Sequence, residues 1–160
     1  FFSTNPDYLE RVRENTRADL TTLGMVANHA ALTEGEPWLD QVNDYLDGNH
    51  DFAASYIRDR IPHVKYAKAE GTYLAWLDVS EVVRRIGAER TAAEESASAV
   101  EPVATEDIVQ RWFAENAGVF MSPGDNYGTG GAGHMRMNLA TSRRLLERAL
   151  DNMAGALARI

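Results

Sequence analysis

Residues 118–140 read GVFMSPGDNYGTGGAGHMRMNLA, and this stretch decides the fold. From His134 to Leu139 the side chains alternate, with Met135, Met137 and Leu139 on one side and His134, Arg136 and Asn138 on the other, the period of a half-buried strand. Arg136 therefore projects from mid-strand. A glycine-dense loop (residues 124–133) precedes it, and Thr141 opens an amphipathic helix carrying Leu145, Leu146, Leu150, Met153 and Leu157. A rigid guanidinium on a packed strand beside a flexible loop suits capture of a planar anion such as a carboxylate. The residues alone leave two readings of Arg136 open: a ligand arginine, or a polar-face arginine paired with a local acid.

Working outward, Thr4, Asn5 and Pro6 start a first helix, and a small, apolar second one surrounds Met25, Val26, Ala27, Ala30 and Ala31 until Gly35. Pro37 sits in the first turn of a third helix, whose Trp38, Val42, Tyr45, Leu46, Phe52, Tyr56 and Ile57 keep a helical period until Pro62. Unbroken through Gly48, it is long for so small a domain. Residues 64–67 and 72–78 read as strands joined by a turn at Ala69, Glu70 and Gly71, and Ser80 to Ile86 as a short helix. Residues 88–105, rich in Ala, Glu, Ser and Thr, read as a flexible, solvated loop, followed by a helix from Thr105 and a short strand over residues 119–121. The expected class is α+β (α/β): a small, mostly antiparallel sheet packed against helices. The expected organisation is a helical segment, 1–61, followed by a small α/β domain, 62–160.

At 160 residues the chain can bury one real core. Its 24 acidic against 16 basic side chains, net −8, argue against a nucleic-acid partner, which needs a clustered basic surface. There are no cysteines, so disulfides, iron–sulfur clusters and thiolate zinc sites are excluded. No apolar run approaches a membrane span and Phe1-Phe2 is not followed by a signal-peptide core, so the expectation is a soluble, cytoplasmic protein. The missing initiator methionine makes the start read as the interior of a longer protein.

Gly128, Gly130 and Gly133 spell GxGxxG, yet the dinucleotide fingerprint needs a strand before and a helix after, and here a strand follows. The glycines read instead as a mobile turn able to close over a ligand. His29, His50, His63 and His134 are scattered without ligand spacing, so no metal site is expected. Ser122 precedes a proline in a bend, outside any nucleophile elbow. The acids Glu106 and Asp107 suit a helix start, where the dipole explains them. Tyr127 stands apart from the other aromatics because it sits inside the glycine loop. Shielding a ligand, solvent exposure and a subunit contact are its three readings.

The run Glu70-Gly71-Thr72-Tyr73-Leu74-Ala75-Trp76-Leu77-Asp78, the loop over residues 118–128 and the segment GHMRMNLAT together resemble the C-terminal portion of class I/II (fold type I) pyridoxal-phosphate enzymes, in particular the cystathionine β-lyase branch. Asn28-His29-Ala30-Ala31 and Gly35-Glu36-Pro37-Trp38-Leu39 resemble that branch's approach to its long interdomain helix. The resemblance implies a small C-terminal domain, an amino-acid substrate and a homodimer. It implies pyridoxal 5'-phosphate held by an N-terminal half of the same polypeptide, and places Arg136 on the substrate α-carboxylate; Tyr127 is a weaker substrate-binding candidate, from its place in the loop alone. The Schiff-base lysine lies upstream of the matched region, and Lys65 and Lys68 flank a different strand. The fragment is therefore expected to carry no catalytic or cofactor-binding residue and to be inactive alone. A carbon–sulfur β-lyase giving thiol, pyruvate and ammonia is the leading expectation, with an aminotransferase and a free-standing binding module as alternatives.

Overall fold

The computed structural model describes residues 3–15, 21–61 and 63–160; Phe1, Phe2 and the helix-ending Pro62 lie outside the described residues. The chain divides into two compact units, Phe1–Val42 and Asn43–Ile160.

In the first unit, α1 (Pro6–Asn15) starts where Asn5 Oδ1 accepts the Asp7 N–H at 3.0 Å. Helix α2 (Thr22–Glu34) starts where Thr21 Oγ1 accepts the Gly24 N–H at 3.0 Å, one of the donors a helix start leaves without an intrahelical partner. It ends at Gly35. The small, apolar composition of α2 predicted close packing, yet none of its side chains is buried, and Leu23 and Leu32 are 83% and 79% exposed. Helix α3 (Glu36–Arg60), which belongs to the second unit from Asn43 onward, runs unbroken through Gly48 for 25 residues, about 37 Å.

The second unit is built on a four-stranded antiparallel sheet in the order β1 (Lys65–Tyr66), β2 (Leu74–Asp78), β4 (His134–Asn138), β3 (Ser122–Pro123). The central pair is in register from Leu74 opposite Asn138 to Asp78 opposite His134. Alternation then sorts the faces. Ala75, Leu77, Met135 and Met137 point into a core that also holds Ala53 and Ile57 of α3, Val109 and Phe113 of α6 (Thr105–Ala117) and Leu146, Leu150, Met153 and Leu157 of α7 (Arg143–Leu157). Each fully buried leucine there contributes about 1.5–3 kcal/mol before entropy is counted. The edge strand pairs at Ser122 and Pro123 rather than over residues 119–121, because Val119 and Met121 are taken into the core. Proline is tolerated because β3 is an edge.

Helix α4 (Ser80–Ile86) ends at Gly87, left-handed at φ 66°, and the chain turns directly into α5 (Ala88–Ser96). The loop read over residues 88–105 is thus helical for its first half. Ala88 and Ala92, four residues apart and 0% and 5% exposed, make a stripe just wide enough to pack on the core. Helix α7 starts one residue later than the sequence suggests, with Ser142 Oγ accepting the Leu145 N–H at 3.4 Å.

Two buried polar side chains join α3 to this sheet. Asn49 is fully buried: its amide nitrogen donates to the carbonyls of Leu139 (2.7 Å) and Thr141 (3.0 Å), and its oxygen accepts Arg143 Nε at 2.8 Å. His50 Nε2 donates to the Thr72 carbonyl at 3.1 Å, so Nδ1 is left as acceptor for the Tyr66 hydroxyl. That bond holds the β1–β2 turn, in which Thr72 is the one non-glycine residue with positive φ (67°) among the described residues.

Candidate functional site

The face of the sheet opposite the core carries the polar half of the alternation. Three residues form its central row, Trp76, Arg136 and Ser122, directly opposite one another across β2, β4 and β3. Asp78 and His134 form the next row. Arg136 is half-buried, with its Nη2 donating weakly to Ser122 Oγ at 3.4 Å. Its guanidinium carbon lies 4.4 Å from the centre of the Tyr127 ring, a cation–π contact. Tyr127 meets Trp76 edge-on at 5.9 Å, and Trp76 stacks on His134 at 5.6 Å and 16°. His134 Nδ1 lies 2.9 Å from the Ala132 carbonyl, which can only accept, so Nδ1 carries the proton.

The ion pairs of the described residues leave Arg136 out. Of the two readings of this residue, pairing with a local acid is not the arrangement found. Its planar group is packed on one face by an aromatic ring and leaves donors for a further acceptor, the disposition that suits a carboxylate. Tyr127 is 49% exposed and belongs to the same cluster, so the structure brings the two sequence-predicted site residues together.

The glycine loop that sets Tyr127 in place is closed by backbone hydrogen bonds of its own. Gly124 N–H donates to the His134 carbonyl (2.9 Å), His134 N–H to Gly131 (3.1 Å), Gly131 N–H to Gly128 (3.1 Å) and Tyr127 N–H to Gly124 (3.0 Å). Gly128, Gly130 and Gly133 adopt φ of 95°, 89° and 73°, which other residues avoid. Gly124 and Gly131 are required for a different reason: a methyl on Gly131 would collide with the Gly124 carbonyl. Hence the spelling GxGxxG reports a backbone knot, not a phosphate cradle.

Sequence reading missed Glu106. Read as a helix-start acid, it is 6% exposed and accepts the Gly133 N–H at 2.6 Å. Glu106 and Gly133 border a cleft of about 660 Å³ shared with Lys65, Asp78, Ser80 and Arg84. No signal in the local sequence marks a contact across 27 positions.

Neither lysine is placed for nucleophilic work. Lys68 Nζ sits 2.7 Å from both Asp47 and Asp51, hydrogen bonds that raise its pKa and hold it protonated. Lys65 is exposed and 3.6 Å from Asp78. Among the described residues there is no His/Asp/Glu cluster able to hold a metal ion and no helix long and apolar enough to cross a membrane.

No family model matches the chain. It is 36% identical over 149 residues to a Mycobacterium tuberculosis protein provisionally named cystathionine beta-lyase, covering 93% of this chain and 36% of that protein. It is 30% identical over 159 residues to a Corynebacterium glutamicum cystathionine beta-lyase, covering 98% and 37%. Its fold matches the crystal structure of a PLP-bound C–S lyase from Staphylococcus hominis with a TM-score of 0.77 and 28% identity, covering 96% of this chain and 36% of the other. The chain therefore spans about a third of the length of the curated relatives it matches. Nearly all of it resembles the C-terminal portion of these enzymes, and the antiparallel sheet with its covering helices is the fold of their C-terminal domain.

Proposed function

We propose that the chain is the substrate-gripping C-terminal portion of a pyridoxal-phosphate enzyme acting on amino acids, a carbon–sulfur β-lyase of the cystathionine β-lyase type. The observation that carries this is the likeness along nearly the whole chain to C–S lyases, combined with an acid-free guanidinium on the open face of the sheet. Arg136 holds the α-carboxylate through a two-pronged, charge-assisted contact, and Tyr127 restricts the orientations the guanidinium can take. Pyridoxal phosphate, when bound, supplies the electron sink for the α-carbon. The residues of this chain do not fit as its holders, since one lysine is held protonated by two aspartates and the other is a solvated partner of Asp78. The cofactor accordingly belongs to an N-terminal half of the same polypeptide. The exposed leucines of α2 support such a covering partner, as does 68% exposure of Trp38, because apolar surface of this kind marks an interaction site. A homodimer and a cytoplasmic location accompany this proposal. The units proposed from the sequence, 1–61 as helical segment and 62–160 as small domain, belong to the same reading.

The test is to express the full reading frame that contains this chain, supply pyridoxal phosphate and cystathionine, and measure pyruvate release. Arg136→Lys should raise KM by roughly 10–100-fold, the equivalent of one lost charge-assisted hydrogen-bond pair, and leave cofactor binding unchanged. An unchanged KM would remove Arg136 from the site. A second reading, an aminotransferase, is favoured by the likeness to a PLP-bound protein from Clostridium difficile provisionally named as one, at 29% identity and a TM-score of 0.72. A 2-oxo acid formed from the amino acid without release of thiol would select it.

A further inference from the structure

We infer that Glu106 is a positioning residue for the carboxylate anchor, acting through Gly133 and the glycine loop to seat Tyr127 on the Arg136 guanidinium. Glu106 is the second residue of α6, a position where a carboxylate ordinarily serves its own helix. Here its Oε1 reaches out of the helix to the Gly133 N–H at 2.6 Å, and the side chain is 6% exposed. The Gly133 carbonyl is held from the other side by the Val79 N–H at 2.8 Å, so the peptide groups on both sides of the Gly133 α-carbon are held, one from α6 and one from the end of β2.

Placement then passes along the backbone in three steps. Gly133 fixes the entry to β4, where His134 exchanges backbone hydrogen bonds with Gly131 and Gly124. Gly124 and Gly131 press together so closely that neither can carry a methyl group. Tyr127 closes the single turn that starts at Gly124, its N–H on the Gly124 carbonyl at 3.0 Å, and its ring lands over Arg136 at 4.4 Å. Each link up to the Tyr127 backbone is a main-chain contact, so a shift at Gly133 is passed toward Tyr127. Glu106 holds the Gly133 end of that series from outside the loop.

This inference rests on the proposed role of Arg136, and the experiment separates the two. In the protein expressed from the full reading frame, the Arg136 Nε–H resonance, identified by its disappearance in Arg136→Lys, should sit upfield because of the Tyr127 ring and return toward the ordinary arginine position in Tyr127→Leu. Glu106→Ala is expected to abolish that upfield shift, while Glu106→Gln, which keeps a carbonyl acceptor at the same reach, retains it. In the cofactor-loaded full reading frame, Glu106→Ala should raise KM for the amino acid several-fold with kcat little changed, and Glu106→Gln should restore it. Where Glu106→Ala does not fold, Glu106→Asp replaces it, because the acid withdrawn by one methylene keeps the charge and loses Gly133. A retained upfield shift in that variant or in Glu106→Ala overturns the positioning role. A lost shift with unchanged KM, alongside a raised KM in Arg136→Lys, overturns its link to the substrate. An unchanged KM in Arg136→Lys is the separate failure of the carboxylate reading, which no Glu106 variant can produce.

Discussion

Replacing Asn49 by alanine should be among the costliest single changes in the second unit. The side chain is 0% exposed and makes three hydrogen bonds, to the carbonyls of Leu139 and Thr141 and from Arg143 Nε. Both carbonyls can only accept, which fixes the amide nitrogen toward them and the oxygen toward the arginine. Each bond contributes about 1 kcal/mol net, and the Leu139 carbonyl keeps a second donor, the Thr141 N–H at 2.9 Å. Water can reach the other two partners, so the total is about 3 kcal/mol, within a range of about 2–5. With a urea m-value of about 2 kcal/mol/M for a chain of this size, the unfolding midpoint should fall by about 1.5 M. Asn49→Asp, which turns two donors into an acceptor facing two carbonyls, should cost at least as much. A loss below about 1 kcal/mol for Asn49→Ala, or a stable Asn49→Asp, would refute the assigned network.

Other outcomes follow from the same structure. Gly131→Ala should cost about 1–3 kcal/mol by forcing the loop apart, whereas Gly155→Ala, in the last turn of α7 with open space around it, should stabilise by up to about 0.5 kcal/mol; thermal melts of the two variants check the contrast. The Ser80 N–H, 2.9 Å from Asp78 Oδ1, holds the Asp78 carboxyl below its ordinary pKa, aided by the Ser80 hydroxyl, Lys65 and His134. A pKa depressed by folding contributes stability above the unfolded value of about 4 and loses it as pH falls through the folded one. Asp78→Ala should therefore be less stable than the parent chain by about 1 kcal/mol at pH 7, with the gap narrowing below about pH 4 in denaturant titrations.

Where a side chain's role follows from its near neighbours in sequence, it was legible. The alternation through Met135, Arg136 and Met137 gave β4 and the outward face of Arg136, and the period from Trp38 to Ile57 gave α3 across Gly48. Helix α5 was hidden because its buried stripe is two alanines, too small to stand out against Glu, Thr and Ser. What the sequence could not carry is contact at a distance. Glu106 looks like any helix-start acid until Gly133 is seen on it, and Asn49 like any polar residue of a long helix until the β4–α7 junction closes over it. The glycine loop was located correctly and its close backbone packing was not, since the mutual exclusion of side chains at Gly124 and Gly131 exists only in the folded backbone.

In the proposed role, Arg136 also bears on how an anion arrives. The chain carries a net charge of −8, yet this guanidinium is partnered by a ring and a hydroxyl rather than by a carboxylate and keeps its charge. At low ionic strength an approaching carboxylate meets the repulsion of the whole chain before it meets the arginine. At physiological salt, where fields decay over about 8 Å, the repulsion fades and the short contact with Arg136 persists. Moderate salt should thus speed the encounter, the reverse of the dependence shown by proteins that draw anions in over a broad basic surface.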